Sequence, residues 1–104
     1  MNTSRDKKKI LLVDDEKDIR DVLGMTLSDM GYQVLTAANG KTAWDTFLAE
    51  MPSIVLTDIK MPVMDGIELL QRIKRENYET EVIMITGHGD MDLAVKSLKS
   101  EATD

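Results

Sequence analysis

The sequence predicts an α/β fold, a doubly wound parallel sheet, and two observations carry that expectation. Four short apolar runs rich in β-branched residues, at 10–13, 34–37, 54–57 and 82–86, have the length and composition of strands. The segments between and after them return apolar residues at helical spacing, so the order reads βαβαβαβα. Strict alternation of this kind implies parallel strands joined by right-handed helical crossovers.

Each element has its own warrant. The first, third and fourth runs are continuously apolar rather than alternating, which is how strands buried on both faces of a parallel sheet appear, so helices are expected on both sides. The first helical segment carries Ile19, Val22, Leu23, Leu27 and Met30, and Gly31 stops it where a left-handed residue is useful. Asn39-Gly40 opens the second, whose stripe is Ala43, Trp44, Phe47, Leu48 and Met51, with Trp44 and Phe47 expected in the core. Pro52 and Pro62 mark loops, Ile67, Leu70 and Ile73 outline a third helix, and Met91, Ala94, Val95 and Leu98 a fourth. No internal repeat, linker or low-complexity stretch interrupts the pattern, and the 104 residues are expected to form one domain over 1–104.

Composition bounds the function. Apolar residues make up 42% and charged residues 31% of the chain, the balance of a globular protein. The net charge is −6 and the longest basic run is Lys7-Lys8-Lys9, so no nucleic-acid partner is expected for this segment. Without cysteine there is neither a disulfide framework nor a thiolate metal site, in keeping with a reducing compartment. The first nine residues lack an apolar signal segment, and no run approaches the ~20 apolar residues of a membrane span, so a cytoplasmic location without membrane contact is expected.

The chemistry gathers at the strand ends. Asp14-Asp15 directly follows the first run, Asp58 follows the third, and Thr86 closes the fourth. In open α/β sheets, ligands bind outside the carboxyl ends of the strands where strand order reverses. With a flavodoxin-like order 2-1-3-4, Asp58 would stand between the Asp pair and Thr86, at strand spacings of ~4.8 Å. Three crowded carboxylates resist ionisation unless a cation relieves them. Oxygen ligands without His or Cys suit Mg²⁺, which keeps waters and phosphate oxygens among its ligands. Asp58 could then attack phosphorus to form an acyl phosphate, with Thr86 as a hydroxyl donor, and the added charge would draw a neighbouring loop inward.

At this point the chain resembles the receiver domain of two-component response regulators. The matching segments are Ile10-Leu-Leu-Val-Asp-Asp-Glu16, Val55-Leu-Thr-Asp-Ile-Lys-Met-Pro-Val-Met-Asp-Gly66 and Val82-Ile-Met-Ile-Thr-Gly-His-Gly89, with Ala38-Asn-Gly40 at the loop between the first two. The Thr-Gly-His-Gly-Asp stretch is similar to receivers attached to AAA+ transcription activators or hybrid kinases. The resemblance implies that Asp58 is the phosphoacceptor and Thr86 the switch hydroxyl, and that Asp14, Asp15, Asp58 and the backbone carbonyl of Lys60 hold Mg²⁺. It also implies a sensor histidine kinase or phosphotransfer protein as donor, and a domain that catalyses only its own phosphorylation and dephosphorylation. Lys60 and His88 stand at the positions that tune hydrolysis in such domains. Similar receivers continue into a fifth strand ending in Lys-Pro and a fifth helix, and this sequence stops at Asp104, before either. That departure leads to the expectation of an exposed fourth strand available for self-association. It also raises an alternative function, a phosphorylation-independent interaction or dimerisation module.

Simpler readings exist for single residues. Asp14-Asp15 could cap the first helix, Asp58 could be an Asx-turn residue, and Thr86 a strand-end residue with β propensity. Only their joint placement on three strand ends favours the site. Asp65-Gly66 reads as a turn and helix cap, and His88, the lone histidine, as an exposed loop residue. A phosphatase with an aspartyl nucleophile would want Asp-x-Asp after the first strand, where this chain has Asp14-Asp15-Glu16.

Overall fold

The computed structural model describes residues 8–61, 63–85 and 95–96. Within them the elements run β1 (Lys9–Val13), α1 (Lys17–Asp29), β2 (Gln33–Ala37), α2 (Gly40–Glu50), β3 (Ile54–Asp58), α3 (Gly66–Glu76) and β4 (Glu81–Ile85). The strands form one parallel sheet in the order β2-β1-β3-β4, as expected. The fourth helix expected around Met91 to Leu98 lies outside the described residues, apart from Val95 and Lys96, which are helical.

The continuous apolar runs are explained by two cores, one on each face of the sheet. Ile10 and Leu12 of β1 and Ile54 and Leu56 of β3 pack with Leu23 and Leu27 of α1. The alternate residues, Leu11, Val13 and Val55, pack with Ala43 and Phe47 of α2 and Leu69 and Ile73 of α3. Successive side chains on a strand point to opposite faces, so β1 and β3 feed both cores and need apolar residues throughout. The outer strands β2 and β4 are only partly buried, β4 despite its continuously apolar run, because among the described residues each has a neighbouring strand on one side alone.

The helical stripes are narrower than the sequence suggested. Val22, Leu48, Met51 and Ile67 are largely exposed, and Val22 is 67% accessible although it falls on the apolar spacing of α1. The buried contacts of α1 are made by Leu23 and Leu27, and a residue one position away from that line turns outward. Trp44, expected in the core, is half-buried: its ring stacks on Phe47 at 5.9 Å, and the Arg72 guanidinium lies 5.9 Å above it.

Helix boundaries follow local chemistry. The Asn39 side chain accepts from the Thr42 N–H at 2.8 Å and starts α2, and that of Asp65 accepts from the Glu68 N–H at 2.9 Å and starts α3. Gly31 takes φ 101° after α1, as its position suggested. At the end of α2 a methionine, Met51, occupies the left-handed region instead of glycine.

Candidate functional site

The register of the two central strands builds the site. Val13 of β1 is the partner of Thr57 of β3, so Asp14 and Asp58, the next residues, emerge side by side at the carboxyl end of the sheet. Asp58 is the last residue of β3, half-buried, and pairs with Ile85 of β4.

Asp14 is tied down from three sides. Its N–H donates to the Ala37 carbonyl at 3.1 Å, its carbonyl accepts from the Arg20 guanidinium at 2.7 Å, and its carboxylate accepts from the Glu16 N–H at 2.9 Å. Neither Asp14 nor Asp15 is the N-cap of α1; Glu16 holds that position and makes no side-chain cap. Asp14 therefore serves the chain entry as an Asx-type turn while its carboxyl group stays at the strand end.

The electrostatics are those of crowded acids. Carboxylate oxygens of Asp14, Asp15 and Glu16 lie within 4.8 Å of one another. Burial pushes the Asp14 carboxyl above the usual carboxylate value; the Glu16 N–H opposes this, and the charges of Asp58, Asp15 and Glu16 add to it. Asp58 thus belongs to the electrostatic neighbourhood of Asp14, while the tight cluster itself consists of Asp14, Asp15 and Glu16.

Of the residues expected from sequence, Asp14 and Asp15 are brought together, and Asp58 faces Asp14 across one strand spacing. Lys60 follows in the β3–α3 loop, exposed, beside an open depression lined also by Ile59, Met61, Asp65 and Ile67. Thr86 lies outside the described residues. Two members were missed. Glu16 was visible in the Asp-Asp-Glu run but was given no role, and the Arg20 contact to the Asp14 carbonyl had no sequence signal beyond a basic residue one turn into α1. A larger groove between α2 and α3, lined by Trp44, Glu68, Gln71 and Arg72 among others, contains none of these carboxylates.

The donor set is all hard oxygen, with more negative charge than its own hydrogen bonds balance. It fits a hard divalent cation and offers nothing to a soft one.

The model of the response regulator receiver domain family matches residues 10–104. The chain belongs to this family. Among relatives of this receiver domain, sporulation initiation phosphotransferase F of Bacillus subtilis is 43% identical over 90 residues, covering 86% of this chain and 73% of that one. A probable transcriptional regulator, ycf27 of Galdieria sulphuraria, is 40% identical over 104 residues, all of this chain and 40% of the other. The receiver chain thus spans about two fifths of the length of the first curated relatives it matches. A crystal structure of a response regulator receiver domain protein from Clostridium thermocellum superposes with a TM-score of 0.74 at 36% identity, covering 89% of this chain and 75% of that one. Receiver domains are signalling modules of two-component systems, and the strand order and acidic strand ends found here are those expected of one. Among the described residues, no helix is long and apolar enough to cross a membrane.

Proposed function

We propose that this receiver domain accepts a phosphoryl group on Asp58, drawn from the phosphohistidine of a sensor kinase or phosphotransfer protein. The observation that carries the reading is the emergence of Asp14 and Asp58 from registered neighbouring strands, close enough that the charge of Asp58 helps raise the Asp14 carboxyl. A relative named as a phosphotransferase, matching 86% of this chain, points the same way.

Asp14, Asp15, Asp58 and the Lys60 carbonyl would hold Mg²⁺, which supplies charge neutralisation for the phosphoryl oxygens in the transition state. The remaining work belongs to the chain. A carboxylate oxygen of Asp58 attacks phosphorus, the bond from phosphorus to the donor nitrogen breaks, and its electron pair stays with the imidazole, which takes up a proton. The Glu16 N–H and the Arg20 contact keep Asp14 in place during transfer. Thr86, one residue beyond β4, would supply the hydroxyl that reads the phosphorylated state. Hydrolysis of the acyl phosphate at the same site would return the domain to its resting form. The 104 residues would act as one such unit, in the cytoplasm, where phosphoryl donors are made.

Intact mass after incubation with Mg²⁺ and acetyl phosphate tests the proposal. A metal-dependent gain of one phosphoryl group, lost in Asp58→Asn, is expected. An equal gain in the Asp58→Asn chain would overturn the assignment.

A further inference from the structure

The sequence reading gave Asp65-Gly66 a purely structural task, to turn the chain and open α3. The structure shows a more specific demand at Gly66. A methyl group added there would stand 2.2 Å from the carbonyl oxygen of Asp58 and 3.1 Å from both its carbonyl carbon and the Ile59 Cα. Side-chain carbons do not approach backbone atoms so closely, and a carbonyl in a strand end has little room to retreat. The Gly66 N–H, moreover, donates to the Ile59 carbonyl at 2.8 Å. The first residue of α3 is therefore seated directly on the peptide that carries Asp58, and bonded to the next one.

This contact is not required to start the helix. Asp65 already caps α3 through the Glu68 N–H at 2.9 Å, and Leu69 and Ile73 bury the helix against the sheet. Nor is glycine needed for its backbone angle, because among the described glycines only Gly31 has a positive φ. What Gly66 uniquely permits is the close approach to Asp58. The rest of the loop is held independently: Met61 and Met64 are buried, and Gly40 of α2 lies so near Met64 that a methyl group there would stand 2.2 Å from the Met64 carbonyl oxygen.

We propose that Gly66 is a positioning residue of the phosphoryl and metal site: by lacking a side chain it lets the N-terminus of α3 lock the Asp58-Ile59-Lys60 backbone. This inference rests on the functional reading above. A methyl group at 66 pushes the Asp58 peptide and breaks the bond to Ile59, and the shift is delivered to the Asp58 carboxylate and the Lys60 carbonyl. Misplacement of reacting groups by about 1 Å costs on the order of 100-fold in rate, so a smaller displacement is enough to register.

The test compares the full chain with Gly66→Ala and with a control, Gly24→Ala, whose added methyl group meets only a Val34 methyl at 3.9 Å. Mg²⁺ affinity is measured by calorimetry, and labelling by acetyl phosphate is timed, at a temperature where unfolding curves show each chain fully folded. Gly66→Ala is expected to weaken Mg²⁺ binding roughly tenfold and to slow labelling at least as much, with the control unchanged; loss of packing alone would lower the unfolding midpoint and leave the Mg²⁺ affinity of the folded chain intact. Equal affinity and rate in a folded Gly66→Ala chain overturn the inference and spare the functional reading. A parent chain that neither binds Mg²⁺ nor labels overturns both. Should Gly66→Ala not fold, the parent decides through amide exchange, because coupling between two sites is reciprocal. Mg²⁺ is expected to slow exchange of the Gly66 amide by as large a factor as that of core amides such as Leu11, which exchange through unfolding that releases the metal, and by more than that of the Thr80 amide in the turn after α3; a Gly66 amide slowed no more than Thr80 overturns the inference.

Discussion

The β1–α1 turn and the β3–α3 loop leave neighbouring strands at the same end of the sheet, yet they hold their candidate site residues by different means. The turn is short and tied by hydrogen bonds to Ala37, Arg20 and Glu16, and its cost is electrostatic, a buried Asp14 carboxyl among other acids. The loop is longer and held by steric contact, with Met61 and Met64 buried, Gly40 and Gly66 pressed against backbone, and Val63 at φ 74°. Its cost is conformational, since a β-branched residue in the left-handed region is strained. Each cost should be relieved by a different kind of change.

The largest effect is expected from breaking the steric grip. Gly40→Ala forces a methyl group into the Met64 backbone and should destabilise the chain by roughly 1–3 kcal/mol, read as a lower urea midpoint at unchanged slope. An unchanged midpoint would mean that the loop yields easily and does not hold its shape by contact.

Relieving the backbone strain should act in the opposite direction. Val63 is 84% exposed, so Val63→Asn loses little packing and should stabilise by about 1 kcal/mol, because asparagine tolerates the left-handed region. Outside both regions, Gly24→Ala in the middle of α1 should gain roughly 0.5–1 kcal/mol from helix propensity alone, setting the scale for a change with no site involvement.

The electrostatic cost of the turn is expected to be smaller and to depend on pH. The folded chain binds the Asp14 proton more tightly than the unfolded chain, whose reference value is 3.8. The folded state therefore carries more protons in the window just above that value, and the Asp14 contribution to stability falls as pH rises through the raised folded value. Metal-free Asp14→Asn should melt higher than the parent at neutral pH and show a flatter dependence on pH in the acid range. Because asparagine still offers an oxygen to the Glu16 N–H, the comparison isolates the charge. A lower melting temperature for Asp14→Asn would show that the carboxylate stabilises the turn.

Strands were legible in the sequence to within about one residue. Their apolar runs report burial, and the difference comes from polar residues such as Lys9 and Gln33 that pair at the strand entry without being buried. The acidic strand ends could be read because Asp14-Asp15 and Asp58 directly follow apolar runs, whereas the strand order came from the flavodoxin-like fold expected of such an alternation and not from spacing. Helix faces were read too widely, as Val22 and Ile67 show: apolar spacing identifies a stripe but not which edge of it meets the sheet. The tasks of Gly40 and Gly66 were hidden for a different reason. Both are close approaches between backbones distant in sequence, and composition carries no record of which carbonyl a glycine will meet. Glu16 was hidden by its second identity as the N-cap of α1.

The most direct test of the account is to locate the phosphoryl group. Treating the labelled chain with borohydride reduces an aspartyl phosphate to homoserine, and peptide sequencing by mass spectrometry then names the position. Homoserine at position 58 alone is the result the account predicts. Homoserine at position 14 or 15, or label that survives reduction unchanged, would contradict it.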